Sequence, residues 1–360
     1  MRYTILLFLI VSFISCKKDK PSTPEPTQDY SVSYKKPGDD LATCMTDGDG
    51  DMSFILIKTS KGFYLDKIWK DGKSLGRYSV PFNGGDFVPE GILNKDLNII
   101  AYGSLDGQPA WTDFLSPPHV LKQKQGRIFD MQIVHDSIWF CGEIVNGSSK
   151  DMLLGHINSG TFELRDTVSF GTSENDGAVD LCRGPDHSLL MLAYTYGGPS
   201  GDRDIFLYQY DSNGKQMRFR QWGGSGYDQP EMLLYAYNKI FVCGHTTSFG
   251  DPMHDAYIAC LKEDDLSMDW EKAVNLDGHE GADFIVDAFN KRLALGSYAQ
   301  MNPIHGGYGL LMDTDGNVIW QQKFMDFERF YQVRTFDDHL MYLGQKKNDD
   351  LDVAVQLHFY

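Results

Sequence analysis

The feature that most constrains this chain is a repeat. Over its 360 residues it returns to one short pattern, an apolar segment ending on a small residue. Leu189-Leu190-Met191-Leu192-Ala193 and Ile240-Phe241-Val242-Cys243-Gly244 are two copies, and others end at Gly103, Gly142, Gly296 and Gly344. In the first copy Ile57 takes the small residue's place. The intervals from Ile57 through Gly103, Gly142, Ala193, Gly244, Gly296 and Gly344 are 46, 39, 51, 51, 52 and 48 residues. A period this constant means one structural unit stacked many times, each copy unable to bury its apolar faces alone.

Further parts recur within the period. An Asp opens an alternating strand, most clearly over residues 204–211 and again over 151–158 and 255–261. A turn follows, Ser212-Asn213-Gly214 or Thr314-Asp315-Gly316, and then a strand carrying Phe219, Trp270 or Trp320. A Gly- and Asp-rich corner, as at residues 223–228 or 83–86, leads to one more strand. No segment keeps a 3.6-residue apolar period, and 36 glycines suit a chain of many turns. Four short strands in every ~40–50 residues is the blade of a β-propeller. The expected fold is therefore all-β, a seven-bladed propeller of four-stranded blades, with six or eight blades as the alternatives. The apolar segments, such as residues 189–195, are read as the inner strands. The chain ends after two strands of a period, at residues 340–344 and 353–359. It begins with what reads as the other two, residues 31–34 and 40–45, so the N-terminal strands are expected to close the last blade.

Three segments are expected: residues 1–15, 16–29 and 30–360. Arg2 precedes an apolar run over residues 5–11 that continues to Ser15-Cys16. A positive start, a short apolar stretch and a small residue before a cut form a secretory signal. Lys17-Lys18-Asp19-Lys20 and then Pro21, Pro24 and Pro26 follow, a tether with little to bury. This stretch resembles the leader of bacterial lipoproteins. The resemblance implies cleavage before Cys16, acylation (palmitate among the chains) of that cysteine, and attachment to a bacterial envelope membrane, with the outer membrane as the expected one. An ordinary secretory signal with an incidental cysteine is the other reading. Cys44, Cys141, Cys182, Cys243 and Cys260 are an odd set without zinc spacing, and are read as buried free thiols.

The net charge of −17 speaks against a nucleic-acid partner. Residues 30–360 also resemble envelope proteins built from propeller repeats and, more loosely, the quinoprotein propellers. The tryptophan docking motifs and the adjacent cysteine pair of a quinoprotein dehydrogenase are missing, so no cofactor is expected. Long loops at residues 196–203, 248–254 and 299–306, with corners at 170–175 and 275–282, fall on one predicted face. Tyr194, Tyr196, Tyr227, His254, Tyr298 and His305 lie in or beside them as candidate ligand contacts. Asp40, Asp86, Asp176, Asp228 and Asp283 recur at the corners, where a carboxylate holds a turn by accepting backbone N–H groups. The alternate carboxylates of residues 47–51 read as an acidic turn, since Met52 and Lys58 stand where a calcium loop needs Gly and Glu. No catalytic residue and no metal site is assigned, and no G-x-S-x-G elbow occurs. The expected function is a non-catalytic binding or scaffold module, held at a membrane by its lipid, whose long-loop face meets a protein or glycan. The alternative is a hydrolase or lyase acting on a polysaccharide through loop carboxylates.

Overall fold

In the computed structural model, residues 30–33, 41–47, 51–59, 62–80, 82, 85–96, 98–113, 116–198, 202–250, 254–274, 279–301, 304–336, 339–346 and 353–359 are described. The leader, Cys16, the tether, Asp40 and the middle of the acidic turn at residues 47–51 lie outside them. So do the side chains of Cys44 and His305.

Strand pairing follows the repeat. The described strands form six four-stranded antiparallel sheets and a seventh sheet of five segments. In chain order the blades cover residues 41–80, 87–120, 126–170, 176–222, 228–274, 279–324 and 327–359. Seven apolar clusters fill the spaces between neighbours. One joins the last blade to the first through Phe336, Met341 and Leu343 against Met45, Ile55 and Ile57. The innermost strands touch in succession, and the last, Phe327–Thr335, meets the first, Leu41–Asp47. The ring is closed, and the domain is a β-propeller.

Position within the blade explains the apolar pattern. In the fourth blade, Leu189–Thr195 and Asp204–Tyr210 are buried along their whole length between neighbouring blades, whereas Gln216–Trp222 is largely exposed. The segments read as inner strands are thus second in their sheets. The innermost strand is the one after the Gly/Asp corner, for example Asp228–Ala236, which is only partly buried because one side borders the central channel. This shift of one strand also refines the closure. Tyr30–Ser33 alone completes the last blade, pairing with Val353–Phe359 as its outermost strand. Leu41–Asp47, read as part of the same blade, is the innermost strand of the first.

The period residue marks a β-bulge. In six blades the innermost strand carries one extra residue opposite it: Thr43, Glu90, Phe129, Val179, Glu231 and Tyr331. The bulge drives a carbonyl of the innermost strand against the second strand. A Cβ on Gly142 would lie 2.0 Å from the Arg127 oxygen, and one on Gly244 would lie 1.9 Å from that of Gln229. Glycine holds that place in four of the six bulged blades, where it admits the neighbouring backbone, and Ala193 and Ile57 hold it in the other two. In the sixth blade a break replaces the bulge, between His279–Glu280 and Phe284–Asp287, with Asp283 at the gap.

The residue after the bulge ties blades together. Asp130 accepts the Leu181 N–H of the next blade at 3.1 Å, and Asp180 accepts that of Leu233 at 2.6 Å. Gln332 does the same for Met45, across the closure. Asp180 is buried and Asp130 half-buried, and withdrawal from water raises both carboxyls, Asp130 to about 6 and Asp180 well above its usual range. The Asp180 carboxyl, raised further by the Asp130 charge, donates its proton to Asp130, so the pair shares one negative charge. Cys141, Cys243 and Cys260 are buried free thiols, and Cys182 is a half-buried one.

Candidate functional site

Bulge and glycine together aim polar groups at one mouth of the channel. The residue following the period residue lies across from the strand just before the bulge: Glu143 opposite Arg127, Tyr194 opposite Gly177, His245 opposite Gln229 and Gln345 opposite Arg329. The loops between second and third strands leave from this same end, so their first residues crowd the mouth.

On the side of blades two to four the groups are paired. Glu143, only 4% exposed, accepts Lys150 Nζ at 2.7 Å, the Tyr194 hydroxyl at 3.0 Å and Arg127 Nε at 3.3 Å. Arg127 also donates to Glu90 at 3.1 Å. Burial outweighs that partner and raises the Glu90 carboxyl. Beside them Arg203, at the head of the third strand, is enclosed by rings. Its guanidinium lies 4.0 Å from the Tyr194 ring centre and 4.7 Å from those of Tyr196 and Tyr227. Nη2 donates to the Tyr196 hydroxyl at 2.9 Å, while Nε is shielded from solvent and has no acceptor among the described residues.

On the side of blades five to seven stands an acid–base group. Glu231, His245 and Asp283 each present an atom within 4.8 Å of the others. His245 Nδ1 is 3.8 Å from Glu231 Oε1. Burial, reinforced by the Asp283 charge and opposed by Arg203 and Arg329, pushes Glu231 up to about 8. Burial, with His254 and Arg203 adding to it, pushes His245 down to about 4. At neutral pH Glu231 therefore holds a proton and His245 is uncharged. Asp283 accepts Arg329 Nη2 at 2.6 Å. Arg329 in turn lies 5.5 Å from the ring centres of both Tyr298 and Tyr331. Three ligand atoms at this spacing suit a cation, but Arg329 on Asp283 and the charge of Arg203 oppose one.

Most of the candidate contacts meet here. Tyr194, Tyr196, Tyr227 and His254 form a continuous series of edge-on rings, with centres 6.2, 6.5 and 5.7 Å apart, and His279 extends it 5.8 Å beyond His254. Tyr298 stands across the mouth on Arg329. The backbone of His305 lies in the strand Ile304–Asp313. The corner aspartates divide. Asp228 accepts Thr246 Oγ1 at 2.5 Å, Gly224 N–H at 2.7 Å and Ser248 Oγ at 2.8 Å, and Asp176 accepts Thr172 Oγ1 at 2.9 Å. At the Asp86 corner the acceptor is instead Asp106, bonded to the Asp86 N–H at 2.9 Å. Asp283 departs from the corner role, because the broken strand places it at the mouth. Arg203, Glu231, His245 and Arg329 were not among the sequence candidates. The signal for His245 was present: Glu143, Tyr194, His245 and Gln345 are polar residues in one column, directly after the period residue of apolar strands.

No family model and no curated protein matches this chain. Among solved structures it is similar to the polysaccharide lyase Uly1, with a TM-score of 0.55 and 10% identity over 95% of this chain and 94% of that one. It is also similar to a puromycin-hydrolysing peptidase of Mycobacterium tuberculosis, with a TM-score of 0.54 and 13% identity. That match covers 88% of this chain and 50% of the peptidase, so the chain spans half its length. These likenesses establish the propeller fold.

Proposed function

We propose that this propeller binds a glycan at the channel mouth between blades four and six, and that it is displayed on a bacterial envelope membrane through a lipid on Cys16. The observation that carries the glycan reading is the run of rings Tyr194, Tyr196, Tyr227 and His254, with Arg203 set among the tyrosines. Sugar rings pack their C–H faces on aromatic side chains, and their hydroxyls take hydrogen bonds from groups such as Gln229, Glu231 and His245 at the edge. The rings sit on a rigid scaffold, so little order is lost on binding. Cys16→Ala is expected to release the protein from membranes.

The test is retardation of the full-length protein, purified in detergent, by a panel of neutral and acidic polysaccharides in gels. Wild type is expected to be retarded by at least one, and Tyr227→Ala tenfold less at an unchanged unfolding midpoint. Retention of an envelope protein with no polysaccharide bound would overturn the glycan reading.

A second reading, cleavage of the bound glycan, is favoured by the proximity of Glu231, His245 and Asp283. A protonated Glu231 beside an uncharged His245 supplies both an acid and a base. On this reading turnover falls below pH about 4, where His245 charges, and above about 8, where Glu231 ionises. New reducing ends or an unsaturated product, lost in Glu231→Gln with binding intact, would favour it over binding alone.

A further inference from the structure

We infer that the glycan taken at this mouth bears a carboxylate, and that Arg203 is the residue that receives it. The inference rests on the glycan reading above and narrows its substrate class to uronic-acid polymers.

Among the described side chains, four cations stand at the mouth. Arg127 is bonded to Glu90 and Glu143, Lys150 to Glu143, and Arg329 to Asp283. Arg203 has no carboxylate within 4.0 Å among the described residues, in a chain whose net charge is −17. Of its side-chain donors Nη2 bonds a neutral hydroxyl, and neither Nε nor Nη1 has a bonded partner among the described residues.

A guanidinium keeps its charge at any physiological pH, and a charge partly withdrawn from water is costly unless paired. The three tyrosine rings return part of that cost. A ring face offers no acceptor in the plane of the guanidinium, however, and among the described residues only Nη2 of its N–H groups meets one, the Tyr196 hydroxyl. Those groups form a fork that matches the two oxygens of a carboxylate. The acid across the mouth does not fill the role. Glu231 interacts with Arg203 but holds its proton at neutral pH, because burial and Asp283 disfavour its charge. A sugar stacked on Tyr196 and Tyr227 would bring a ring substituent against the N–H edge of Arg203. A uronate carboxylate supplies both the charge and the acceptor geometry that the protein withholds.

The test compares two polymers that share a backbone, one with free and one with esterified carboxyls, and a sulfated polymer of different backbone. Full-length protein in detergent is titrated with polygalacturonate, with the same polymer fully methyl-esterified, and with dextran sulfate. Wild type is expected to bind polygalacturonate at least tenfold more tightly than its methyl ester or dextran sulfate. In Arg203→Gln that preference is expected to fall below threefold, with Arg203→Lys intermediate. Equal affinity of wild type for the free and esterified polymers would overturn the inference and leave the glycan reading standing. So would preference for the sulfated polymer, or an undiminished preference in Arg203→Gln. Failure to bind these polymers and the neutral panel alike would overturn the glycan reading itself. The wild-type comparison needs no variant to fold.

Discussion

Gln332 and Met45 are 287 positions apart, and the carboxamide of the first accepts the backbone N–H of the second. The bond joins the innermost strands of the last and first blades, beside the apolar contact of Phe336, Met341 and Leu343 with Ile55 and Ile57. It repeats, at the closure, what Asp130 and Asp180 do within the ring. Gln332→Ala leaves that N–H without its acceptor and is expected to cost about 1–3 kcal/mol. Urea unfolding measures it, and Gln332→Glu, which keeps the acceptor, should lose less.

The bulge glycines make a second prediction. Gly244→Ala forces a Cβ to within 1.9 Å of the Gln229 oxygen, so strand or bulge must move. A loss of about 1–3 kcal/mol is expected. Gly160→Ala, whose Cβ would meet only Asn158 Oδ1 at 3.4 Å, should change stability by less than about 0.5 kcal/mol. Glu231 sits on the bulge opposite Gly244, so the first variant should also weaken ligand binding and the second should not.

Much of this was legible in the sequence, and what was not has physical causes. The apolar segments ending at Gly142, Ala193 and Gly244 announced the blades because strands pressed between two neighbours are apolar on both faces. The same property misled their placement, since the channel strand is the more polar one and Leu189–Thr195 is second. Loop position alone put Tyr194, Tyr196, Tyr227 and His254 on one face, and their rings do lie together there. Arg203 and Glu231 did not stand out, because their setting depends on partners that only the folded ring brings together: three rings about one guanidinium, and Asp283 of the next blade beside a half-buried acid. Asp283 resembled its corner counterparts in sequence, and only the broken strand of the sixth blade separates it from them.

The shared proton of Asp130 and Asp180 makes stability depend on pH. Unfolded, both carboxyls titrate near 3.8, and folded they hold protons higher, Asp130 to about 6 and Asp180 further. Between those limits the folded state binds more protons, so this contribution falls as pH rises from about 4 through 6 and beyond. Asp180→Asn retains an acceptor for the Leu233 N–H but cannot ionise. Urea midpoints between about pH 5 and 8 should decline less in this variant than in wild type.

Acidic-sugar binding should weaken as pH rises through about 8, where Glu231 ionises and competes for Arg203. The other groups facing Glu231 are His245, Asp283, Arg329 and Gln229. His245 is already uncharged there, so it adds no opposing step. A several-fold drop in affinity for polygalacturonate is expected in wild type, and a flat profile in Glu231→Gln.

Hydrogen exchange of the full-length protein, with and without the polysaccharide that retards it most, tests the central claim most directly. The Tyr227 and Thr247 N–H groups bond across the corner below the ring platform, to Thr247 Oγ1 and the Tyr227 carbonyl. A glycan seated on Tyr196, Tyr227 and His254 should slow exchange over residues 224–229 and 245–248. The turns at residues 211–215 and 262–267, at the opposite end of the blades, should exchange as before. Slowing confined to those turns, or none at the mouth while the polysaccharide is bound, would contradict the assignment of the site.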